Sequence, residues 1–175
     1  MGRVINIFSR QGGKQMDLNN RTYNVIDIAK YVINKSIEME TPISNLKLQK
    51  ILYFIQGEFL SVLKKPAFLQ EIQAWKHGPV VPEVYYEFNK YIADEITSKF
   101  NDFNETILEK KDRNIIDKVI KDNLNKDAWK LVQITHKQSP WVDNYKPGEN
   151  IIIPNDDIKK YFCNKHKNKE RNKEI

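Results

Sequence analysis

The residues able to do chemistry are few and scattered. His77, His136 and His166 are the three histidines of the 175-residue chain, and none stands beside a cysteine or carboxylate at the spacing a zinc or iron site requires. No metal site is expected. Cys163 is the single cysteine, so an internal disulfide and the multi-cysteine zinc frameworks are excluded, and a reducing, intracellular compartment is expected. A thiol nucleophile needs an oriented base, which nothing near Cys163 supplies, so it is read as incidental. His136 follows Thr135 at the end of a helical run, where an imidazolium would meet the negative end of the helix dipole. With no partner at catalytic spacing it is read as a structural histidine packing near Trp141. Gly12-Gly13 lies in an irregular stretch and Gly78 runs into Pro79, so no phosphate-cradling loop is present. The expectation is a protein without catalysis, cofactor or small-molecule substrate.

The positions of these residues depend on a chain long enough for one domain. At this length folding buries on the order of 70% of the unfolded surface, so a core forms without disulfides or metal. No apolar run approaches the ~18 residues of a membrane span. The net charge is +6 and the isoelectric point about 9.2. Basic balance favours phosphates through counterion release. Most of the excess, however, lies in Lys165, Lys167, Lys169, Arg171 and Lys173, which face one Glu170 and read as a solvated tail. Residues 1–21 are expected to form an arm, in which Val4, Ile5, Ile7 and Phe8 are too few for a signal peptide. Residues 22–163 are the expected domain, and 164–175 a basic disordered tail.

Periodicity gives the elements. Val25, Ile28, Ala29, Val32 and Ile33 predict a first helix capped by Asn24, with Asp27 in its first turn. Ser44 or Asn45 can cap a second helix, in which Leu48, Ile51, Leu52, Ile55, Phe59 and Leu63 form one stripe and Leu46, Phe54 and Leu60 widen it. A helix apolar around most of its circumference belongs in the middle of a domain. Gly57 inside it predicts a close crossing by another element. Residues 71–76 alternate as a short strand that His77-Gly78-Pro79 stops, and Pro82 opens a third helix. Ile115 to Leu124 predicts a fourth helix, and Asn125 can cap a fifth reaching Thr135 or His136, which Ser139-Pro140 ends. Ile151 to Ile153 reads as a brief strand before a sixth helix that runs to about Phe162. The fold class is mainly α, a compact helical domain of about six helices with one or two short strands.

Three blocks carry a resemblance. Leu46 to Phe54, with Leu48 and Lys50 inside Leu-Lys-Leu-Gln-Lys; Ala74 to Tyr85, with Trp75, Lys76, Gly78, Pro79 and Pro82; and Thr135-His136 followed by Ser139-Pro140-Trp141 together resemble the Panacea domain of the SocA-like antitoxins. The similarity extends over about Asn24 to Phe162. It implies a cytoplasmic bacterial or phage-borne antitoxin that neutralises a co-encoded toxin by direct protein–protein complex formation and has no catalysis of its own. No added helix-turn-helix is recognisable, so operator binding is not implied.

The aromatic content fits a binding protein. Eight Tyr, eight Phe and three Trp make up 11% of the chain. Tyr53, Tyr86 and Tyr91 lie away from the apolar stripes and are expected to be exposed partner-binding anchors, since interfaces favour large rings with few rotors. Trp75, Trp129 and Trp141 are read as core packing. The block from Trp75 to Pro82 is read as a rigid corner whose prolines fix φ and whose Gly78 permits the turn. The alternatives are a stand-alone phage inhibitor of a host or defence protein and a basic DNA-binding regulator. An enzyme using His136 or Cys163 is the least supported reading.

Overall fold

A computed structural model describes residues 21–172. Most of the expected arm, with Ile7, Phe8 and Gly12-Gly13, and residues 173–175 of the expected tail lie outside the described residues. Helix α1 (Val25–Glu38) begins where the Asn24 side chain accepts the Ile26 amide, and Asp27 sits in its first turn. Strand β1 (Ile43–Ser44) leads into α2 (Asn45–Glu58), and of the two candidate caps it is Ser44 that accepts the Lys47 amide. Twelve of the fourteen residues of α2 are buried. The helix continues into a π-helical turn (Phe59–Leu63), and Lys64 at φ +59° breaks the run.

Two strands then form a hairpin, β2 (Gln73–Trp75) and β3 (Gly78–Val80), with Trp75 opposite Gly78. Alternation marks only the first of these strands, because Gly-Pro-Val has none to betray a second. Pro82 opens α3 (Pro82–Glu87), and β4 (Glu95–Ile96) returns to pair with β1. Helices α4 (Lys110–Leu124) and α5 (Ala128–Thr135) follow. The cap of α5 is Asp127, which accepts the Lys130 amide at 2.8 Å, and not Asn125. Ser139 and Pro140 do more than end that run, since they start a separate short helix, α6 (Ser139–Val142). Strand β5 (Ile151–Ile152) adds to the free side of β2, giving the order β3-β2-β5.

The last element corrects the expected tail. Helix α7 (Asn155–Arg171) runs nine residues past Phe162, through most of the stretch read as disordered. Apolar periodicity stops at Phe162, so the pattern alone marks an end there. Nothing beyond it breaks a helix, and Lys169 and Arg171 complement the C-terminal dipole. The fold is mainly α as expected, with seven α-helices among the described residues.

The core is built on α2 and its π-helical turn, against which α1, α4, α5 and α7 all pack. The crossing expected at Gly57 is made by α7. A Cβ on Gly57 would stand 2.4 to 2.5 Å from three carbons of the Phe162 ring. Phe162 is itself fully buried between Tyr53 and Phe54, so the ring has little room to retreat. Gly57→Ala should therefore lower stability by about 1–3 kcal/mol, as overpacking does, although alanine gains up to ~1 kcal/mol in helix propensity. Thermal denaturation should show Phe162→Leu absorbing part of that loss in the double variant, whereas an unchanged or raised melting temperature for Gly57→Ala would place the site in open space.

Candidate functional site

The three sequence blocks meet at the β2–β3 hairpin, and the contact begins on α2. Gln49 Oε1 accepts the Val81 amide at 3.0 Å, and its Nε2 donates to Asn45 Oδ1 at 2.8 Å. Asn45 Nδ2 in turn donates to the Tyr85 carbonyl at 3.0 Å. One turn on from Asn45 and Gln49, Tyr53 donates its hydroxyl to the buried Gln138 at 2.8 Å. Gln56 accepts the Ala67 amide and donates to the Phe68 carbonyl and to Asn155. The polar residues of this helix thus satisfy backbone and side chains of the segments around it.

Lys50 is the centre of the arrangement. It is fully buried, and its Nζ donates to the Pro79 carbonyl at 2.8 Å. Burial pushes the ammonium down to about 7 from its ordinary 10.5. Gly78, at φ +98°, makes room for it: a Cβ there would stand 2.7 Å from Thr135 Oγ1 and 2.8 Å from Lys50 Cε. Both the positive φ and the close approach require glycine. Thr135 directs its hydroxyl to the Val132 carbonyl.

The third block closes the far side of the turn. His136 stacks on Trp141 at 3.9 Å and 11°, and Trp141 stacks on Tyr145 at 4.6 Å. Trp141 Nε1 donates to the Trp75 carbonyl at 2.9 Å. Burial and then the nearby Lys50 hold the His136 imidazolium below its usual range, and the Lys76 backbone opposes them. The carbonyls of Trp75 and Pro79 are thereby held from two directions. His136 packs on Trp141, as expected.

The other expected site residues fall as follows. Leu48 and Pro140 are buried, Trp75 is half-buried, Lys76 is exposed and Pro82 lies in the first turn of α3. Tyr53 is a correction, since it has no exposed surface and cannot meet a partner from where it sits. It leaves the main stripe because α2 is buried on every side. Tyr86 is 60% exposed, and Tyr91 is half-buried against the core. Trp129, read as core, is 57% exposed on α5 and meets His77 edge-on at 5.1 Å. An amphipathic pattern assigns an apolar residue beside a stripe to the interior and cannot distinguish a ring left outside. Cys163 lies within α7, its Sγ 3.8 Å from Lys64 Nζ. Gln49 and Gln138 were missed, although Gln49 stands inside the first block.

Among the described residues there is no group of three or more His, Cys, Asp or Glu side chains that could hold a metal, and no helix long and apolar enough to cross a membrane. The arrangement locks a turn in place. Its amine and hydroxyl face backbone carbonyls.

Residues 48–142, which take in the second and third blocks and the first from Leu48 on, match the profile of the family described as antitoxin SocA-like, Panacea domain. The chain belongs to this family, as its motifs implied. Antitoxin SocA of Caulobacter vibrioides (strain NA1000 / CB15N) is 33% identical to it over 135 residues, 71% of this chain and 72% of that relative. No solved structure matches the chain.

The buried lysine has a measurable consequence. Its folded-state pKa lies below its unfolded one, so between about pH 7 and 10 the unfolded chain binds the extra proton and stability rises with pH, by at most about 1.4 kcal/mol per unit. His136 titrates below this window, and the tyrosines Tyr23 and Tyr31, raised by burial, affect stability above it. Denaturant unfolding of Lys50→Met between pH 7 and 9.5 should show a flatter pH slope than the parent, whatever the offset between them. Equal slopes would mean that Lys50 titrates as it does in water.

Proposed function

We propose that the chain is an antitoxin that neutralises a partner toxin by direct, stoichiometric complex formation and performs no catalysis. The observation that carries this reading is the inward locking of the motif: Lys50 and Trp141 hold carbonyls of the hairpin and Gln49 holds the Val81 amide, while aromatic rings are left outside around it. Membership of an antitoxin family supports the same reading.

The contact face we assign is the outer side of the hairpin. Trp75 packs edge-on against Tyr85 at 5.0 Å and Tyr86 at 6.2 Å, and at the hairpin tip His77 meets Trp129. Rings held by one another and still exposed are ready to bury area at little entropic cost. Tyr91 and Ile92 continue the face. Ile92 is 82% exposed and adopts φ +52°, ψ −108° in a tight turn closed by the Asp94 amide on the Tyr91 carbonyl at 2.8 Å. These angles are those of the first central residue of a type II′ turn, where glycine is the favoured residue. A β-branched side chain there is strained, and strain kept at an exposed apolar residue fits a contact role better than a folding role.

Tyr86→Ala and Trp129→Ala should each weaken binding of the protein encoded by the adjacent reading frame by about 2 kcal/mol, some thirtyfold, with circular dichroism unchanged. Calorimetry with the purified pair and rescue of growth on toxin expression read this directly. If both folded variants bind as the parent does, this face is not the interface.

Ile92→Gly offers an independent check. It should raise stability by about 1 kcal/mol, because relief of roughly 1–3 kcal/mol of backbone strain exceeds the ~1 kcal/mol entropic cost of glycine. The same variant should bind the partner less well. A stabilised variant with unimpaired binding would remove Ile92 from the face.

A further inference from the structure

Helices α4 and α7 both pack on the α2 and π-turn spine rather than on each other, and a groove runs between them. Its two stretches, of about 320 and 190 Å³, share Glu58, Lys118 and Val119 and so form one channel. The floor is apolar. Val62 is 53% exposed on the π-helical turn, and Ile115 and Val119 face it from α4. The walls are cationic, with Lys118 and Lys126 on one side and Lys165 and Lys169 on the other.

One of the carboxylates within the groove is already engaged by a lysine. Asp122 Oδ2 lies 2.7 Å from Lys118 Nζ, and this bond, with Lys126 and Lys169 nearby, holds its carboxyl below the usual range. Glu58 Oε2 lies 3.0 Å from His166 Nε2. Against the four lysines the groove sets three carboxylates, Glu58, Asp122 and Glu170, so the lining keeps an excess of one positive charge, to which the exposed half of α7 adds Lys167 and Arg171.

An apolar floor between lysine walls selects its occupant. A phosphate backbone would meet the charge but not the apolar floor. The chain's own first residues carry Arg3, Arg10 and Lys14 with no acidic residue before Asp17, which is the wrong charge for these walls. From Ile115 to Leu124 the α4 wall spans ~14 Å at 1.5 Å per residue, room for about two and a half turns of a helix laid alongside. We propose that this groove binds an amphipathic acidic helix of the partner protein, its apolar edge on Val62, Ile115 and Val119 and its flanking carboxylates on the lysine walls. That the partner is a protein rests on the antitoxin reading. The groove shares no lining residue with the aromatic face of the hairpin.

The test uses the full chain and a synthetic 16-residue helical peptide with Leu at i, i+3, i+4 and i+7 and Glu on both flanks. Saturable NMR shifts are expected at Val62, Ile115 and Val119, with at least tenfold weaker binding in Val62→Glu and in Lys126→Glu/Lys169→Glu. Binding that maps elsewhere, that a scrambled peptide reproduces, or that is undetectable overturns the groove. Duplex DNA binding lost in the lysine variant and kept in Val62→Glu would make it a nucleic-acid surface and overturn the proposal. With the adjacent-frame protein as probe, equal affinity of parent and Val62→Glu defeats the groove and leaves the antitoxin reading. If the parent does not bind that protein while the peptide seats in the groove, the antitoxin reading fails and the groove stands.

Discussion

A helix buried on all sides must satisfy every polar group it carries inside the protein, because a buried donor or acceptor left unpaired costs about 1–3 kcal/mol. Helix α2 carries Asn45, Lys47, Gln49, Lys50, Tyr53 and Gln56 into that position. Asn45, Gln49 and Lys50 find partners on the segment from Pro79 to Tyr85, and Lys47, Tyr53 and Gln56 on other segments. Lys47 Nζ donates to the Leu124 carbonyl at the end of α4, Lys50 holds the Pro79 carbonyl, and Gln49 holds the Val81 amide. The arrangement of neighbours around α2 is thus specified by hydrogen bonds as well as by apolar contact, and an apolar helix in its place would lose that registry.

The same requirement explains why the family's motif has its composition. The hairpin residues Trp75 to Val81 form a short, proline-bearing turn whose carbonyls cannot all be satisfied by strand pairing. Lys50 and Trp141 supply missing donors, and Gly78 gives up its side chain so that the amine can approach. A lysine serves here because a long stem reaches a carbonyl that no backbone amide can, at the cost of a depressed pKa. Residues that resemble an active site in kind form a clasp in geometry.

What the clasp holds outward matters for function. The rigid hairpin positions Trp75 and His77, and through them Tyr86 and Trp129, without a mobile loop. On another part of the molecule the separation of α4 from α7 leaves an apolar floor that the fold does not cover.

The sequence by itself determined the mainly α class, the burial of the second helix, the close crossing at Gly57 and the family, because periodicity, glycine position and three ordered motif blocks are properties of neighbouring residues. It also located His136 beside Trp141. It could not place Tyr53 inside and Trp129 outside, since both stand off a local apolar stripe and only the packing of neighbouring helices decides which such ring meets water. The extension of α7 past Phe162 was hidden for the same reason, as polar helical residues carry no apolar period. Tertiary structure alone joined Lys50 to Pro79, twenty-nine residues away, and Tyr53 to Gln138, eighty-five away. Hydrogen bonds between distant segments leave no spacing in the chain from which they can be read.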